Sequence, residues 1–229
     1  MLSFAKDYID STKVRSISEK NASSQNANTI ELVDPPFYLN QFEEAFRYII
    51  DEYQIPHHDI GVFVPCAIRK PYSTSPSHLM FHTILDSVYA TDTSYHLVIF
   101  GTCGTVPAEL ECMYPYAQYH YMLGKCMDER IQSDFLKIET YRLKEFLRKT
   151  EDTYQIRIAY CIGAFRKAMI RAVAETGIDV LIYPTDQTIQ KMYAEDSLFP
   201  EGSLFMQEYV DEFTQGLLHA KVMIDASKK

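Results

Sequence analysis

Tryptophan is absent from this chain, and its five cysteines include no Cys-x-x-Cys pair. Cys66, Cys103, Cys112, Cys126 and Cys161 are odd in number and widely spaced. That pattern supports neither a disulfide framework nor a zinc ribbon and suits a reducing compartment. No apolar run reaches membrane-spanning length, and the first residues lack the apolar core of a secretory signal. The expectation is a cytoplasmic protein with no membrane attachment. A basic excess is missing too: the formal charge is −9. A surface that grips a long nucleic-acid duplex unaided ordinarily carries cations, because phosphate contacts supply much of the affinity. A local basic strip, or a partner subunit that carries the RNA, stays compatible with that charge.

What is present is a chain of 229 residues with 47% apolar content and 17 tyrosines. A single core of this size hides roughly 70% of the unfolded surface and needs no covalent or metal staple. Residues 10–30 are rich in Ser, Asn, Lys and Gln, so 1–33 reads as a poorly ordered arm or linker and 34–229 as one α/β domain. Leu2, Phe4, Tyr8 and Ile9 are spaced for a short docking turn. Asn40 with Glu43 suggests a capping box. The stripe Phe42, Phe46, Ile49, Ile50 and Tyr53 then predicts a helix ended by Pro56. Beyond it strands are expected at 60–65, 95–100, 155–160 and 179–183. Helices are expected at 76–89, 129–149, 164–176 (with Gly177 as C-cap) and 203–219. Such alternation predicts a mostly parallel sheet covered on both faces, a three-layer sandwich.

The most informative stretch follows the apolar run Ile60–Val64. Residues 65–78 hold a thiol (Cys66), two cations (Arg69, Lys70), several hydroxyls and an imidazole (His78), then enter a helix marked by Ser75 and Pro76. Strand, polar loop and helix N-terminus together form the usual α/β arrangement for anions and small polar ligands. Topology would bring the other strand ends here as well, so Lys70, Ser73, Thr105, Glu109 and Asp186 are expected to converge on one pocket.

The same loop reads Pro-Cys, three residues, Lys-Pro-Tyr, two residues, Ser, two residues, His, at Pro65, Cys66, Lys70, Pro71, Tyr72, Ser75 and His78. It resembles the signature of the archaeosine synthase family, tRNA-modifying relatives of the archaeal tRNA-guanine transglycosylases. A second stretch, with Val106, Pro107, Glu109, Leu110, Glu111, Tyr114 and Pro115, resembles another block of that family. The resemblance covers about residues 55–220. It departs at Ala108, where Arg is common, and at Gln118 and His120, which stand for a His and an acidic residue; these departures bear on the substrate more than on the fold. The transglycosylase-like region and the RNA-binding PUA domain have no counterpart here. The resemblance implies a uracil-DNA-glycosylase-like fold. It also implies addition of free lysine to the nitrile of 7-cyano-7-deazaguanine in tRNA, without a cofactor, the product passing to a radical-SAM partner. The tRNA would arrive with a separate transglycosylase-like or PUA-containing subunit.

A nitrile carbon is a weak electrophile, and thiolate is the strongest common side-chain nucleophile, favoured by nearby cations and helix N-termini. Cys66 is therefore the candidate nucleophile, Lys70 the candidate anion holder, and His78, Glu109 or Asp186 the candidate proton carriers. Pro65, Arg69, Tyr72, Ser73, Ser75 and Thr105 complete the expected substrate-binding set. Plainer readings stand beside each. A cysteine at a strand end serves as a small buried hydrophobe, and Arg69 with Lys70 serves as a solvated pair. Glu109 and Glu111 suit a first helical turn, and the tyrosines of 114–121 suit packing as well as base stacking. His78 and His82 stand at the i, i+4 spacing of zinc ligands, yet without the remainder of a zinc motif. Arg142, Lys144, Arg148 and Lys149 form a basic cluster that is a candidate RNA contact. The alternative to an enzyme is a non-catalytic module that binds RNA or a partner within a modification complex.

Overall fold

The computed structural model describes residues 30–31, 35–90, 94–123, 126, 128–192 and 203–228. Most of the expected N-terminal arm, including the Leu2–Ile9 turn, lies outside them. The described chain is α/β, with a five-stranded mixed sheet and six helices. Strands are β1 (Ile30–Glu31), β2 (Ile60–Pro65), β3 (Tyr95–Gly101), β4 (Gly104–Pro107), β5 (Tyr119–His120), β6 (Ile156–Tyr160) and β7 (Leu181–Tyr183). Helices are α1 (Asn40–Asp51), α2 (Pro76–Tyr89), α3 (Glu129–Lys149), α4 (Gly163–Thr176), α5 (Asp186–Met192) and α6 (Gln207–Ser227).

The main sheet runs β4-β3-β2-β6-β7, and β1 pairs with β5 in a separate parallel ribbon. β2 sits at its centre because all six of its residues are buried, the near-continuous apolar signature of a parallel strand covered on both faces. Parallel register sets Ile60 opposite Tyr95 and Pro65 opposite Phe100. β4 is antiparallel to β3, with Thr105 opposite Phe100. Only Thr102 and Cys103 separate those strands, too few residues for a parallel crossover. The sequence reading has no strand here, and four residues are too short to display a period. Leu181 at the other edge is exposed, so the expected strand 179–183 shrinks to three residues.

Helix ends follow local chemistry. The Ser75 hydroxyl accepts from the His78 amide at 3.2 Å with Pro76 at the first helical position, as the sequence predicts for α2. Gly177 takes the left-handed conformation that stops α4, with φ 72°. The capping box at Asn40 does not form. The N-cap of α1 is Leu39, without a side-chain bond, and Glu43 instead accepts from Arg47 at 3.1 Å and Arg142 at 3.2 Å. α1 stops at Asp51, ahead of Pro56. α6 starts later and runs further than expected, carried by the buried stripe Tyr209, Phe213, Leu217, Ala220 and Ile224.

The core joins the sheet to two helix pairs. Phe146 of α3 meets Phe63 of β2, while Phe81 of α2 and Phe213 of α6 close on Tyr160 of β6. Close approach fixes Gly61 within β2, since a Cβ there would stand 2.6 Å from the Tyr154 ring. Among the described residues no helix is long and apolar enough to cross a membrane. Gly61→Ala is expected to destabilise the fold by about 1–3 kcal/mol, the usual range for overpacking, with urea unfolding as the measurement.

Candidate thiolate site at the end of the central strand

Cys66 is the first residue beyond β2, and its amide extends the ladder by one bond to the Phe100 carbonyl at 2.8 Å. The register therefore delivers its sulfur to the turn that joins β3 to β4. The Thr102 hydroxyl lies 3.5 Å from the sulfur, and the Cys103 thiol is hydrogen-bonded to it. Gly101, with φ +140°, has no room for a side chain: a Cβ would stand 2.8 Å from the Cys66 sulfur and 2.3 Å from the Phe165 ring.

The hydrogen bond from Cys103 lowers the Cys66 thiol to about 6 against the opposing effect of burial. The Lys70 ammonium and the Thr102 hydroxyl and amide act in the same direction as Cys103. Burial, together with that bond, pushes Cys103 well up. The pair therefore divides its roles, with Cys66 favoured as the thiolate near neutral pH and Cys103 held as a neutral thiol whose sulfur lies 3.5 Å from the Gly104 carbonyl.

Lys70 is anchored by donation to the Ala67 carbonyl and, at 3.2 Å, to that of Ile68. Its ammonium sits 4.1 Å from the Tyr119 ring centre and 4.5 Å from that of Tyr72, a double cation–π contact. Burial lowers its pKa, and Cys66 and Cys103 oppose that. The two tyrosines are buried, with hydroxyls 3.1 Å apart. Tyr72 also bonds Cys103, and Tyr119 bonds Thr102. Lys70 thus faces the thiols and two aromatic rings, and the solvated-pair reading fails for it. Arg69 stays exposed, donating to the Thr74 carbonyl at 3.3 Å.

The remaining expected site residues divide. Pro65 and His78 are joined to each other, the imidazole Nε2–H donating to the Pro65 carbonyl at 3.0 Å. Burial lowers His78 to about 4, so the ring is neutral and ties α2 to the end of β2. The Nε2 proton is thereby engaged by Pro65, and the buried Nδ1 has no hydrogen-bond partner. Ser73 contributes its amide, which Glu111 accepts at 2.8 Å, and Ser75 caps α2. Thr105 is buried in β4 opposite Phe100, its hydroxyl without a hydrogen-bond partner.

Glu109 and Asp186 do not converge with them. Glu109 accepts from Tyr53 at 2.8 Å and pairs with His96 at 3.1 Å. His96 lies opposite Gly61, so that cluster is about 16 Å of strand away from Cys66. Asp186 pairs with Arg166 at 2.8 Å beyond β7, two strands from β2. Topology put them at loops, but β4 turns back and carries Glu109 to the opposite end of the sheet. The expected basic cluster dissolves too. Arg142 is buried, Lys149 donates to the Ile50 carbonyl at 2.7 Å, and Lys144 and Arg148 pair with Glu175 and Glu145. An open groove of about 220 Å³ between α3 and α4, with Lys137, Lys144 and Arg171 in its lining, shares no residue with the thiolate site. Among the described residues no cluster of His, Cys, Asp and Glu suits a metal ion.

Three partners of Cys66 and Lys70 escaped the sequence reading as site residues: Thr102, Cys103 and Tyr119. Glycines bracketing Thr102 and Cys103 at a strand end were the available signal, since they mark a tight turn aimed at the neighbouring strand end. Glu139 was missed altogether. Its carboxyl accepts the Gly101 amide at 3.0 Å, beneath the same turn.

A family model described as a domain of unknown function, DUF5591, matches residues 41–198, more than half of the chain. The chain belongs to that family. The DUF5591 module is 33% identical over 136 residues to a protein of Methanosarcina acetivorans named archaeosine synthase subunit alpha. The match covers 59% of this chain and 20% of that one. A protein of the same name from Thermoplasma acidophilum is 30% identical over 123 residues, covering 51% and 23%. These matches bear out the archaeosine synthase resemblance read from the two motifs. The chain spans about a fifth of the length of these curated relatives. A crystal structure of AF0587, a protein of unknown function, superposes with a TM-score of 0.50 at 19% identity, over 75% of this chain and 48% of the other, and shows a shared fold.

Iodoacetamide at increasing pH, followed by peptide mass spectrometry, tests the site. Cys66 labelling should rise with a midpoint near the value of about 6. Lys70→Met removes the cation and should move that midpoint upward, slowing labelling at neutral pH about 2- to 5-fold.

Proposed function

We propose that this module acts in archaeosine biosynthesis, adding the amine of free lysine to the nitrile of 7-cyano-7-deazaguanine in tRNA. The observation that carries this reading is Cys66 at the end of the central strand, its sulfur 3.5 Å from the Thr102 hydroxyl, with Cys103 and the half-buried Lys70 ammonium lowering its pKa. Its match to two proteins named archaeosine synthase subunit alpha supports the pathway assignment. The thiolate adds to the nitrile carbon, forming a C–S bond while the nitrile nitrogen takes a proton, and a thioimidate results. Cys103, the neutral thiol already bonded to that sulfur, is the proton donor. The lysine amine then attacks the same carbon, the C–S bond breaks to return the thiolate, and the amine's surplus proton goes back to Cys103. Atoms balance as nitrile plus amine giving amidine. Lys70 holds negative charge on the sulfur, and Tyr72 and Tyr119 hold Lys70.

The wider assembly belongs to the same proposal. With a charge of −9, the tRNA is delivered by a separate transglycosylase-like or PUA-containing subunit. A radical-SAM partner then processes the amidine, in the cytoplasm. The uracil-DNA-glycosylase-like three-layer arrangement, with 34–229 as one domain, fits the five-stranded sheet and its two helix pairs. A second reading is a non-catalytic module that binds RNA or a partner within the modification complex, and the negative charge favours the partner over the RNA.

Incubation with lysine and tRNA containing 7-cyano-7-deazaguanine, then nucleoside mass spectrometry, separates the two. The enzyme reading predicts a lysine-dependent mass gain that Cys66→Ser lowers on the order of 10²-fold or more. Full amidine formation by Cys66→Ser would end the covalent scheme. Binding that survives both Cys66→Ala and Lys70→Ala, without turnover by the native protein, would establish the scaffold reading.

A further inference from the structure

Glu139 lies in the middle of α3, 1% exposed, in a position where an ionised carboxylate is poorly tolerated. One oxygen accepts the Gly101 amide at 3.0 Å, and the other, also buried, has no hydrogen-bond partner. Gly101 opens the turn that supplies Thr102 and Cys103, the two groups that touch the Cys66 sulfur. At the far end of the turn, Gly104, with φ +99°, rests on Arg142, whose Cδ would stand 3.3 Å from a Cβ placed there. Glu139 and Arg142 are three residues apart on α3, so one helical face supports both ends of the turn.

We propose that Glu139 is a positioning residue for the thiolate: its carboxyl holds the Gly101 amide and thereby keeps Thr102 and Cys103 beside Cys66. The contact geometry requires an acceptor at this place. Without one the Gly101 amide is buried and unpaired, and the turn shifts to find a partner. Burial pushes the Glu139 carboxyl well above its ordinary range, with Arg142 opposing and the Cys66 charge reinforcing. The groups facing Cys66 are Cys103, Lys70, Tyr72, Tyr119 and Glu139, and those facing Glu139 also include Arg142 and Tyr116. Among the described residues Glu139 is the side chain that accepts the turn's Gly101 amide.

The inference rests on Cys66 as the reactive sulfur and not on the identity of the substrate, so it is tested without tRNA. The pH profile of Cys66 alkylation by iodoacetamide is compared among the native protein, Glu139→Gln and Glu139→Met. Gln keeps an uncharged acceptor for Gly101, and its profile should overlay the native one. Met fills the volume without an acceptor. It should move the midpoint from about 6 toward the ordinary thiol range near ~8.5, slowing alkylation at neutral pH about 4- to 10-fold. An unchanged or lower midpoint in Glu139→Met overturns the proposal, as does a Gln profile displaced upward like that of Met. Should Glu139→Met fail to fold, infrared difference spectra between native protein and Glu139→Gln decide. A protonated-carboxyl band at neutral pH with an unmoved Gln profile supports the assignment, and its absence overturns it. Alkylation of the native protein without the low midpoint would instead count against the covalent step proposed above.

Discussion

A charged sulfur at the end of a buried strand persists only where polar groups replace the water it has left. In this protein the turn after β3 and two buried tyrosines supply them. The Thr102 hydroxyl lies 3.5 Å from the Cys66 sulfur, Cys103 stands beside it, and the Tyr72 and Tyr119 hydroxyls meet at 3.1 Å. An ionised Cys66 can only accept, so the Thr102 proton turns toward it. Low local dielectric strengthens each such bond and makes each lost one costly. Lys70 completes the arrangement by resting its charge on the rings of those two tyrosines.

That cluster draws on separate parts of the chain, and the sheet assembles them. Pairing of Pro65 with Phe100 sets the end of β2 against the end of β3. The hairpin to β4 then folds Thr102 and Cys103 back over Cys66, while β5 presents Tyr119. His78 braces the loop through the Pro65 carbonyl, and Glu111 braces it through the Ser73 amide. Pro65, Ser73, Ser75 and His78 are therefore tied into the frame of the loop by hydrogen bonds. The cluster of Glu109, His96, Tyr53 and Tyr154 performs the corresponding bracing at the opposite end of the sheet.

Much of the fold was legible because its signals are local. The apolar runs at 60–64 and 96–100 read directly as buried strands, and Ser75-Pro76 and Gly177 mark helix ends by their own backbone preferences. Asn40 with Glu43 misled because Glu43 is drawn to Arg47 and to the buried Arg142, contacts that no local pattern records. β4 and the extent of α6 were missed for a related reason: one is four residues long, and the other is stabilised by packing along Tyr209–Ile224.

Residue identity alone determined the apolar strands, the cap of α2, the thiol–lysine loop and, through two motifs, the family. These depend on neighbours within a few positions, where sequence spacing and spatial distance are nearly the same thing. Tertiary structure decided that the β3–β4 turn meets the sulfur while His78 binds Pro65, that Lys70 faces aromatic rings, and that Glu109 goes to the opposite end of the sheet. Each of those outcomes depends on strand register and on how desolvation is shared among buried groups, quantities that exist only once distant segments have packed.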